Sequence, residues 1–319
     1  MKAWFSFPYS PDIYFQEGKP MPAPISNHSL FLQTFDKKEK MYLNIENAKI
    51  FQNEELKLVH RTLQNAPTIK GLDYTKLVSN GIKEIEKGSF KKVVLARCKE
   101  VPYSKNPIDI FKNLCMEYHN CFAHLVQFDE GYYSIGATPE RLLHWSPEKV
   151  ISSSIAGTVS EDNATFTNKE KEEQDIVTDY IVDVFTKYGL PVSTSQKFIG
   201  NGNVKHLFTE ILSEREMSQS QAIALMEDLN PTPAVGGFPK ESSLQWISDN
   251  EKLERHWYSG AIGVINQELI RTYVNLRCGL LFDQKAILYA GAGITSSSIP
   301  QKEFMETEIK MSNLGDMIS

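Results

Sequence analysis

The sequence shows no long apolar run, no signal-peptide pattern in its first residues and no patterned cysteines. No stretch of about eighteen consecutive apolar residues occurs, so the sequence predicts no transmembrane helix. The first residues, MKAWFSFPYSPDIYF, place aromatic, polar and proline residues where a secretory signal needs an unbroken apolar core. The 4 cysteines form no CxxC pair and no zinc-ligand spacing, so we expect buried free thiols. These absences together predict a cytoplasmic protein without a membrane partner.

The sequence also has fewer basic than acidic residues. Lysine and arginine number 34 against 40 aspartates and glutamates, and the net charge of -6 argues against a nucleic-acid or anionic-membrane partner. Hydrophobic residues make up 41% and charged residues 23% of the chain, which excludes a disordered or fibrous protein. No repeat, low-complexity tract or linker divides the 319 residues, so we expect a single domain over residues 1–319.

Strand and helix patterns occur in groups rather than in strict alternation. Helical periodicity predicts helices at residues 72–87, 168–188, 219–229 and 244–257 and another that starts near Ser298. Apolar runs predict strands at residues 29–35, 41–45, 92–97, 132–138, 150–157, 260–266, 271–282 and 285–294. The two prolines of PERLLHWSPEK, residues 139–149, predict a wide turn or short helix. This grouping favours a large α+β fold with antiparallel β-sheets flanked by helices.

Two of the predicted helix starts carry paired carboxylates. Glu170 and Glu173 lie three residues apart, as do Glu303 and Glu306, and Lys310 follows Glu306 by one turn. Mg²⁺ prefers oxygen ligands and is usually held by one or two carboxylates plus an anionic substrate, so two facing pairs would suit it. Acidic residues in a first helical turn also simply complement the helix dipole, and an exposed Glu–Lys pair is common. From the residues alone, both interpretations stay open.

Four further polar residues lie in apolar surroundings. Lys92 begins a hydrophobic strand, where a lysine is either an edge residue or, if desolvated, a general base. Glu140 follows a strand and a proline, and a buried carboxyl can act as a general acid. Arg277 interrupts the apolar run YVNLRCGLLF, where its guanidinium fork would suit a substrate carboxylate. His206 is more typical of a structural histidine than of a catalytic one.

Glycine clusters occur at two places. The segment GNGN, residues 200–203, predicts a turn. The segment AGAG, residues 290–293, lacks the third glycine and the following helix of a dinucleotide fingerprint, so we exclude NAD. It could instead let a ligand approach the backbone closely, and the pair at residues 157–158 could do the same.

Ten ordered segments within residues 72–316 together resemble one known family. They read KVVLAR, IGATPE, IAGT, KEKEEQ, KHLFTEI, PTPAVGG, ERHWYSGAIG, YVNLRCG, AGAG and EFMETEIK. This order resembles the chorismate-utilising enzymes, which include isochorismate synthases, salicylate synthases and the large subunits of anthranilate and aminodeoxychorismate synthases. PTPAVGG is most similar to isochorismate synthases, and Lys92 before VVL points the same way because anthranilate synthases lack it. The resemblance implies an Mg²⁺-dependent isochorismate synthase, monomeric, acting on chorismate.

The resemblance also implies roles for individual residues. Lys92 corresponds to the base that activates water for attack at C2 of chorismate, and Glu140 to the acid that protonates the departing C4 hydroxyl. The implied Mg²⁺ ligands are Glu173 and Glu306, with Glu170 and Glu303 beside the ion or holding its waters. The implied substrate-binding residues are Gly157, Thr158, His206, Ala234, Arg277, Gly291, Gly293 and Lys310.

The chain departs from the family pattern at a few places. The β-rich part before residue 70 is shorter than in typical members, Gln174 replaces the histidine usual after the metal glutamate, and Asn230 replaces the one before PTPAVGG. The alternatives are a relative that also eliminates pyruvate to give salicylate, an ammonia-using relative, and an inactive chorismate-binding homologue. The sequence does not indicate whether isochorismate would enter menaquinone, siderophore or salicylate synthesis.

Overall fold

The structure, a computed structural model, describes residues 1–22, 28–44, 49–51, 64, 73–160, 166, 168–201 and 204–318. The helices in these residues are α1 (Tyr74–Glu86), α2 (Pro107–Glu117), α3 (Asn168–Lys187), α4 (Gln219–Leu229), α5 (Lys240–Asn250) and α6 (Pro300–Ile318). The first nine strands are β1 (Lys2–Ser6), β2 (Ile13–Glu17), β3 (Pro20–Met21), β4 (His28–Gln33), β5 (Lys40–Asn44), β6 (Lys49–Phe51), β7 (Lys92–Pro102), β8 (Phe122–Gln127) and β9 (Tyr133–Thr138). The others are β10 (Arg141–Ser146), β11 (Lys149–Ser160), β12 (Ser193–Asn201), β13 (Val204–Ser213), β14 (Gly237–Phe238), β15 (Ala261–Asn266), β16 (Ile270–Val274), β17 (Cys278–Leu281) and β18 (Lys285–Ile294).

The strands form two nine-stranded sheets whose pairings are antiparallel. The first sheet has the order β14-β7-β18-β17-β9-β8-β1-β2-β6, and the second has the order β12-β13-β11-β10-β16-β15-β4-β5-β3. Helix α6 packs on β18 and α3 packs on β11, so helices flank the sheets. The expected α+β fold with antiparallel sheets is confirmed.

Local sequence patterns account for most of the helices. The apolar stripe of α3 is buried at Val177, Ile181 and Phe185, and Gly189, with φ of 71°, follows its end. Helix α4 begins at a capping box of Ser218 and Gln221. No helix in the described part of the chain is both long and apolar enough to cross a bilayer.

Three predicted elements are wrong, and strand pairing explains two of them. Residues 139–149 contain the strand β10 rather than a helix or wide turn, because the strand pairs with β11 and β16 while both prolines lie outside it. The long strand predicted at 271–282 is two strands, β16 and β17, which belong to different sheets. The helix predicted at 244–257 ends at Asn250. For the two strand predictions, the deciding contacts include strands more than a hundred positions away, β16 for β10 and β9 for β17.

Two of the crossovers, the places where the chain passes from one sheet to the other, lie next to each other. Residues Pro139 and Glu140 connect β9 in the first sheet to β10 in the second, and residues 275–277 connect β16 back to β17. The backbone N–H of Val274 donates to the carbonyl of Glu140 at 2.9 Å, and that of Ala137 donates to the carbonyl of Arg277 at 3.4 Å. Glu140 and Arg277, which are more than a hundred positions apart in the sequence, are therefore brought together.

Candidate active site

A cavity of about 470 Å³ lies where β7 and β18 meet α6 and the two crossovers. It collects nine of the residues that the sequence predicted for a site, from segments spread over most of the described chain. These nine are Lys92, Glu140, Glu173, Ala234, Arg277, Gly291, Gly293, Glu306 and Lys310. The distances, burial and charges of these residues inside the cavity decide what chemistry they can carry out.

Of the remaining predicted residues, Glu170 and Glu303 are not among the described residues that line this cavity. Glu303 lies on α6 with 2% of its surface exposed, and Glu170 is half-buried at the start of α3. For Gly157, Thr158 and His206 the structure describes only the backbone. Thr158 pairs with His206 in the ladder of β11 and β13, and Gly157 lies at an irregularity of that ladder.

Lys92 is a buried lysine with a carboxylate partner. As the first residue of β7 it is 2% exposed, and its Nζ lies 3.5 Å from Oε2 of Glu173 on α3. Gly293 of β18 makes room for this pair, since a Cβ there would lie 2.8 Å from Oε2 of Glu173 and 3.0 Å from Cε of Lys92. The absence of a side chain at Gly293 thus leaves space for the side chains of Lys92 and Glu173.

The helix α6 presents an ion pair to the cavity. Glu306 Oε1 lies 2.7 Å from Lys310 Nζ, which also donates to the carbonyl of Gly291 at 2.9 Å. Burial opposes the charge of Lys310, but the carboxylate of Glu306 outweighs it and raises the pKa of the lysine. The predicted Glu306–Lys310 pair is present, and both residues line the cavity with 38% and 36% of their side chains exposed.

Glu140 has the properties of a proton donor. It is 2% exposed, and burial raises its pKa to about 8 although Lys92 and Lys310 oppose this shift. Its Oε1 is buried and accepts no hydrogen bond from the residues that the structure describes. A carboxyl in these surroundings holds its proton at neutral pH and can deliver it to a ligand in the cavity.

Arg277 lies at a bend of the backbone rather than within a strand. Its φ is 47°, and burial lowers the pKa of its guanidinium while Cys121 and Tyr118 oppose this. The expectation that it lies inside an apolar strand was wrong, because the chain changes sheets there. The bend lets its side chain line the cavity, where a guanidinium suits a carboxylate ligand.

We tested whether the glutamates fit a divalent cation. Within the described residues, no group of three or more histidine, cysteine, aspartate or glutamate side chains is arranged to hold a metal, so the four glutamates form no all-protein cage. Glu173 and Glu306 nevertheless line one cavity from two helices. Two carboxylates with room for an anionic ligand match the donor set that Mg²⁺ uses in substrate complexes.

Sequence reasoning missed several residues of the cavity wall. On α6 these are Gln301, Lys302, Met305, Ile309 and Asn313. Most of them fall at helical spacings from Glu306 and Lys310, so the periodicity of α6 could have identified them. Tyr258 and Tyr289 also line the cavity, with ring centroids 5.7 Å apart, and burial raises the pKa of Tyr258 to about 12.

The two residues that replace family histidines, Gln174 and Asn230, both have hydrogen-bond partners. Gln174 is fully buried, and its amide donates to Oγ of Ser154 at 2.8 Å and to Oγ1 of Thr209 at 2.9 Å. Asn230 is also buried and donates to Oε1 of Gln33 at 3.0 Å. Gln174 thereby ties α3 to β11 and β13, which sets the position of Glu173 beside it.

Comparison with known proteins places these features in a family. The family model described as chorismate binding enzyme matches residues 25–319. The chain is 33% identical to isochorismate synthase MenF of Bacillus subtilis over 261 residues, which cover 75% of this chain and 54% of that protein. It is 26% identical to anthranilate synthase component 1 of Lactococcus lactis over an alignment of 334 positions, which covers 96% of this chain and 72% of that protein.

A solved structure has a similar fold. The menaquinone-specific isochorismate synthase MenF of Escherichia coli superimposes with a TM-score of 0.84 at 20% identity, over 100% of this chain and 88% of that chain. The chain spans about half the length of the Bacillus subtilis relative (54%). The family model, by contrast, covers nearly all of this chain. The chain therefore belongs to the family of chorismate-binding enzymes.

Proposed function

We propose that the protein is an Mg²⁺-dependent isochorismate synthase, which interconverts chorismate and isochorismate. The observation that carries this proposal is the pairing of two groups in one cavity: the buried amine of Lys92 and the buried carboxyl of Glu140, whose pKa is raised to about 8. An exchange of hydroxyl groups needs a base for the incoming water and an acid for the departing hydroxyl. The isochorismate synthases among its relatives support the same reaction.

In the proposed mechanism, Lys92 accepts a proton from water as the water oxygen attacks C2 of chorismate. The ring double bonds rearrange, and the C4 hydroxyl leaves as water after it takes the proton of Glu140. One water enters and one leaves, so substrate and product are isomers. Glu140 is suited to its part because burial keeps it protonated at neutral pH.

The substrate is a dicarboxylate, and the cavity offers cationic groups for it. Arg277, Lys302 and Lys310 line the cavity, and Lys310 is held in place by Glu306 and the carbonyl of Gly291. We assign Arg277 and Lys310 to the substrate carboxylates. Glu173 and Glu306 would hold Mg²⁺, which when bound neutralises the ring carboxylate.

A product assay tests the proposal. Purified protein is incubated with chorismate and MgCl₂, and the products are separated by chromatography. We expect isochorismate, and less of it after chelation of the metal. Formation of salicylate instead would refute the choice of reaction, since it requires elimination of pyruvate.

One relative favours a second candidate, an ammonia-using synthase. The match to anthranilate synthase component 1 covers 96% of this chain. The same assay with ammonium chloride decides between the two, because an aminated product would support the ammonia-using reaction. Binding of chorismate in calorimetry without any turnover would instead support an inactive binding homologue.

The role of Lys92 has a matched control next to it. Lys91 precedes it in the chain but is exposed, whereas Lys92 is buried and lines the cavity. We expect Lys92→Ala to lower kcat by about 100-fold or more, the usual contribution of a general base, while Lys91→Ala keeps the parent rate. Circular dichroism checks that both variants fold. An active Lys92→Ala variant would remove this residue from the mechanism.

A further inference from the structure

A buried ion pair lies behind the cavity wall. Arg255 is 5% exposed and Glu251 is 2% exposed. The guanidinium donates from Nε to Oε1 and from Nη2 to Oε2 of Glu251, both at 2.6 Å, which is a bidentate pair. The guanidinium carbon also lies 4.1 Å from the ring centroid of Phe35. Both charges are therefore fully enclosed by protein.

Arg255 joins two segments of the cavity wall. Its Nη2 donates to the carbonyl of Val94 on β7 at 2.8 Å, and its Nη1 donates to the carbonyl of Val235 at 3.0 Å. Both valines line the cavity. Glu251 adds a bond to the same strand, since its Oε2 accepts from the N–H of Ala96 at 2.8 Å. The pair thus connects β7 to the segment 231–237.

The connected strand carries the proposed base. Lys92 lies two residues before Val94 on β7, so both side chains point to the same face of the strand, and both line the cavity. The N–H of Val94 also donates to the carbonyl of Gly236 at 2.9 Å, which is a direct hydrogen bond between β7 and the segment 231–237. Any shift of Val94 relative to Val235 would move Lys92 relative to the cavity.

Stability alone is a poor reason for such a pair. Burying two charges costs free energy, and well-packed apolar residues of similar volume often give equal or better stability. A guanidinium can bridge two carbonyls and a carboxylate at fixed angles, which an apolar side chain cannot do. We infer that Glu251 and Arg255 are positioning residues that hold β7, and with it Lys92, against the segment 231–237. This inference rests on the proposed function.

Two variants separate positioning from stability. Arg255→Lys keeps the buried cation beside Glu251 but loses the planar fork that reaches both carbonyls. The double variant Glu251→Met/Arg255→Met removes both charges and leaves neither uncompensated. The matched control is Leu225→Ala, a fully buried residue of α4 that does not line the cavity. For each variant kcat and KM for chorismate and the melting temperature Tm are measured.

We expect Arg255→Lys to lower kcat by about 10- to 100-fold and to change KM by less than about threefold, because a small misplacement of a catalytic group slows the chemical step. The single variant Arg255→Met, measured for comparison, leaves the Glu251 charge unpaired, so the double variant should have a higher Tm than this single variant. The kcat of the double variant should be no higher than that of Arg255→Met. The control should lose Tm and keep kcat within about twofold. The inference is overturned if kcat recovers together with Tm in the double variant, or if Arg255→Lys keeps the parent kcat.

Amide hydrogen exchange tests the inference without turnover. In Arg255→Lys we expect faster exchange in residues 92–97 and 231–238 and unchanged exchange in the helix at residues 107–117. Unchanged exchange in the first two segments would refute the positioning role even in an active enzyme. A parent protein that does not convert chorismate would refute the proposed function, and the exchange result would still decide whether the pair holds the two segments together.

Discussion

The buried carboxyl of Glu140 predicts an unusual dependence of stability on pH. Burial raises its pKa from 4.5 to about 8 in the folded protein, while in the unfolded chain the carboxyl is surrounded by water. Between these two values the folded protein holds a proton that the unfolded chain has released. Its stability must therefore fall as the pH rises through this window, and the full penalty applies above the folded pKa.

The size of the effect follows from the two pKa values. Each pH unit inside the window is worth about 1.4 kcal/mol, so the parent should lose about 4 kcal/mol between pH 5 and pH 9 through this one group. Glu140→Gln removes the titration and keeps the shape of the side chain. Relative to the parent, the variant should therefore gain about 4 kcal/mol in the free energy of unfolding over that range.

Urea unfolding of the parent and Glu140→Gln at several pH values from 5 to 9 measures this difference. Glu148→Gln, at an exposed residue of the turn between β10 and β11, controls for the loss of a surface carboxylate. The reasoning is refuted if the difference between Glu140→Gln and the parent stays constant across the range. The same proton should appear in catalysis, where kcat/KM should fall as the pH rises above about 8 because the acid is then ionised.

Two further predictions concern the cavity wall. Gly293→Ala should lower kcat by about tenfold or more with little loss of Tm, because its Cβ would lie 2.8 Å from Oε2 of Glu173, the mobile end of a side chain. Gly81→Ala is the control, since its Cβ would have no neighbour closer than 3.5 Å; equal rates in both variants would contradict the argument. Lys302→Gln should raise KM for chorismate by about threefold at low salt, with kcat unchanged, because a cation is lost from the cavity. Lys149→Gln removes an exposed charge that does not line the cavity, and an equal rise in KM there would count against a local effect.

Patterns along the chain were sufficient for four of the six helices in the described residues, α1, α3, α4 and α6, and for one face of the site, whereas α2 was not predicted. Helix α4 has the predicted bounds, Gln219–Leu229, and the predicted helix at 168–188 is α3. Glu306 and Lys310 were expected on one face of a helix and are paired at 2.7 Å. These features depend on residues three or four positions apart, so the helical repeat alone is enough to predict them.

The order of motifs identified the family, but the residues proposed for catalysis depend on the fold for their properties. A glutamate after a proline has no special acidity in the sequence, and the raised pKa of Glu140 comes from burial at a crossover between two sheets. Likewise the apolar run around Arg277 predicted one strand, whereas the chain changes sheets there.

For the ion pair of Glu251 and Arg255, too, the sequence shows one part and the tertiary structure the other. Its i,i+4 spacing is visible in the sequence, but the carbonyls of Val94 and Val235 that Arg255 joins are not. The sequence by itself determined four of the helices, several of the strands and which residue types are available for chemistry. Only the tertiary structure decided which side chains are desolvated and which distant backbone groups they meet, because burial and long-range hydrogen bonds arise when the two sheets and their helices pack together.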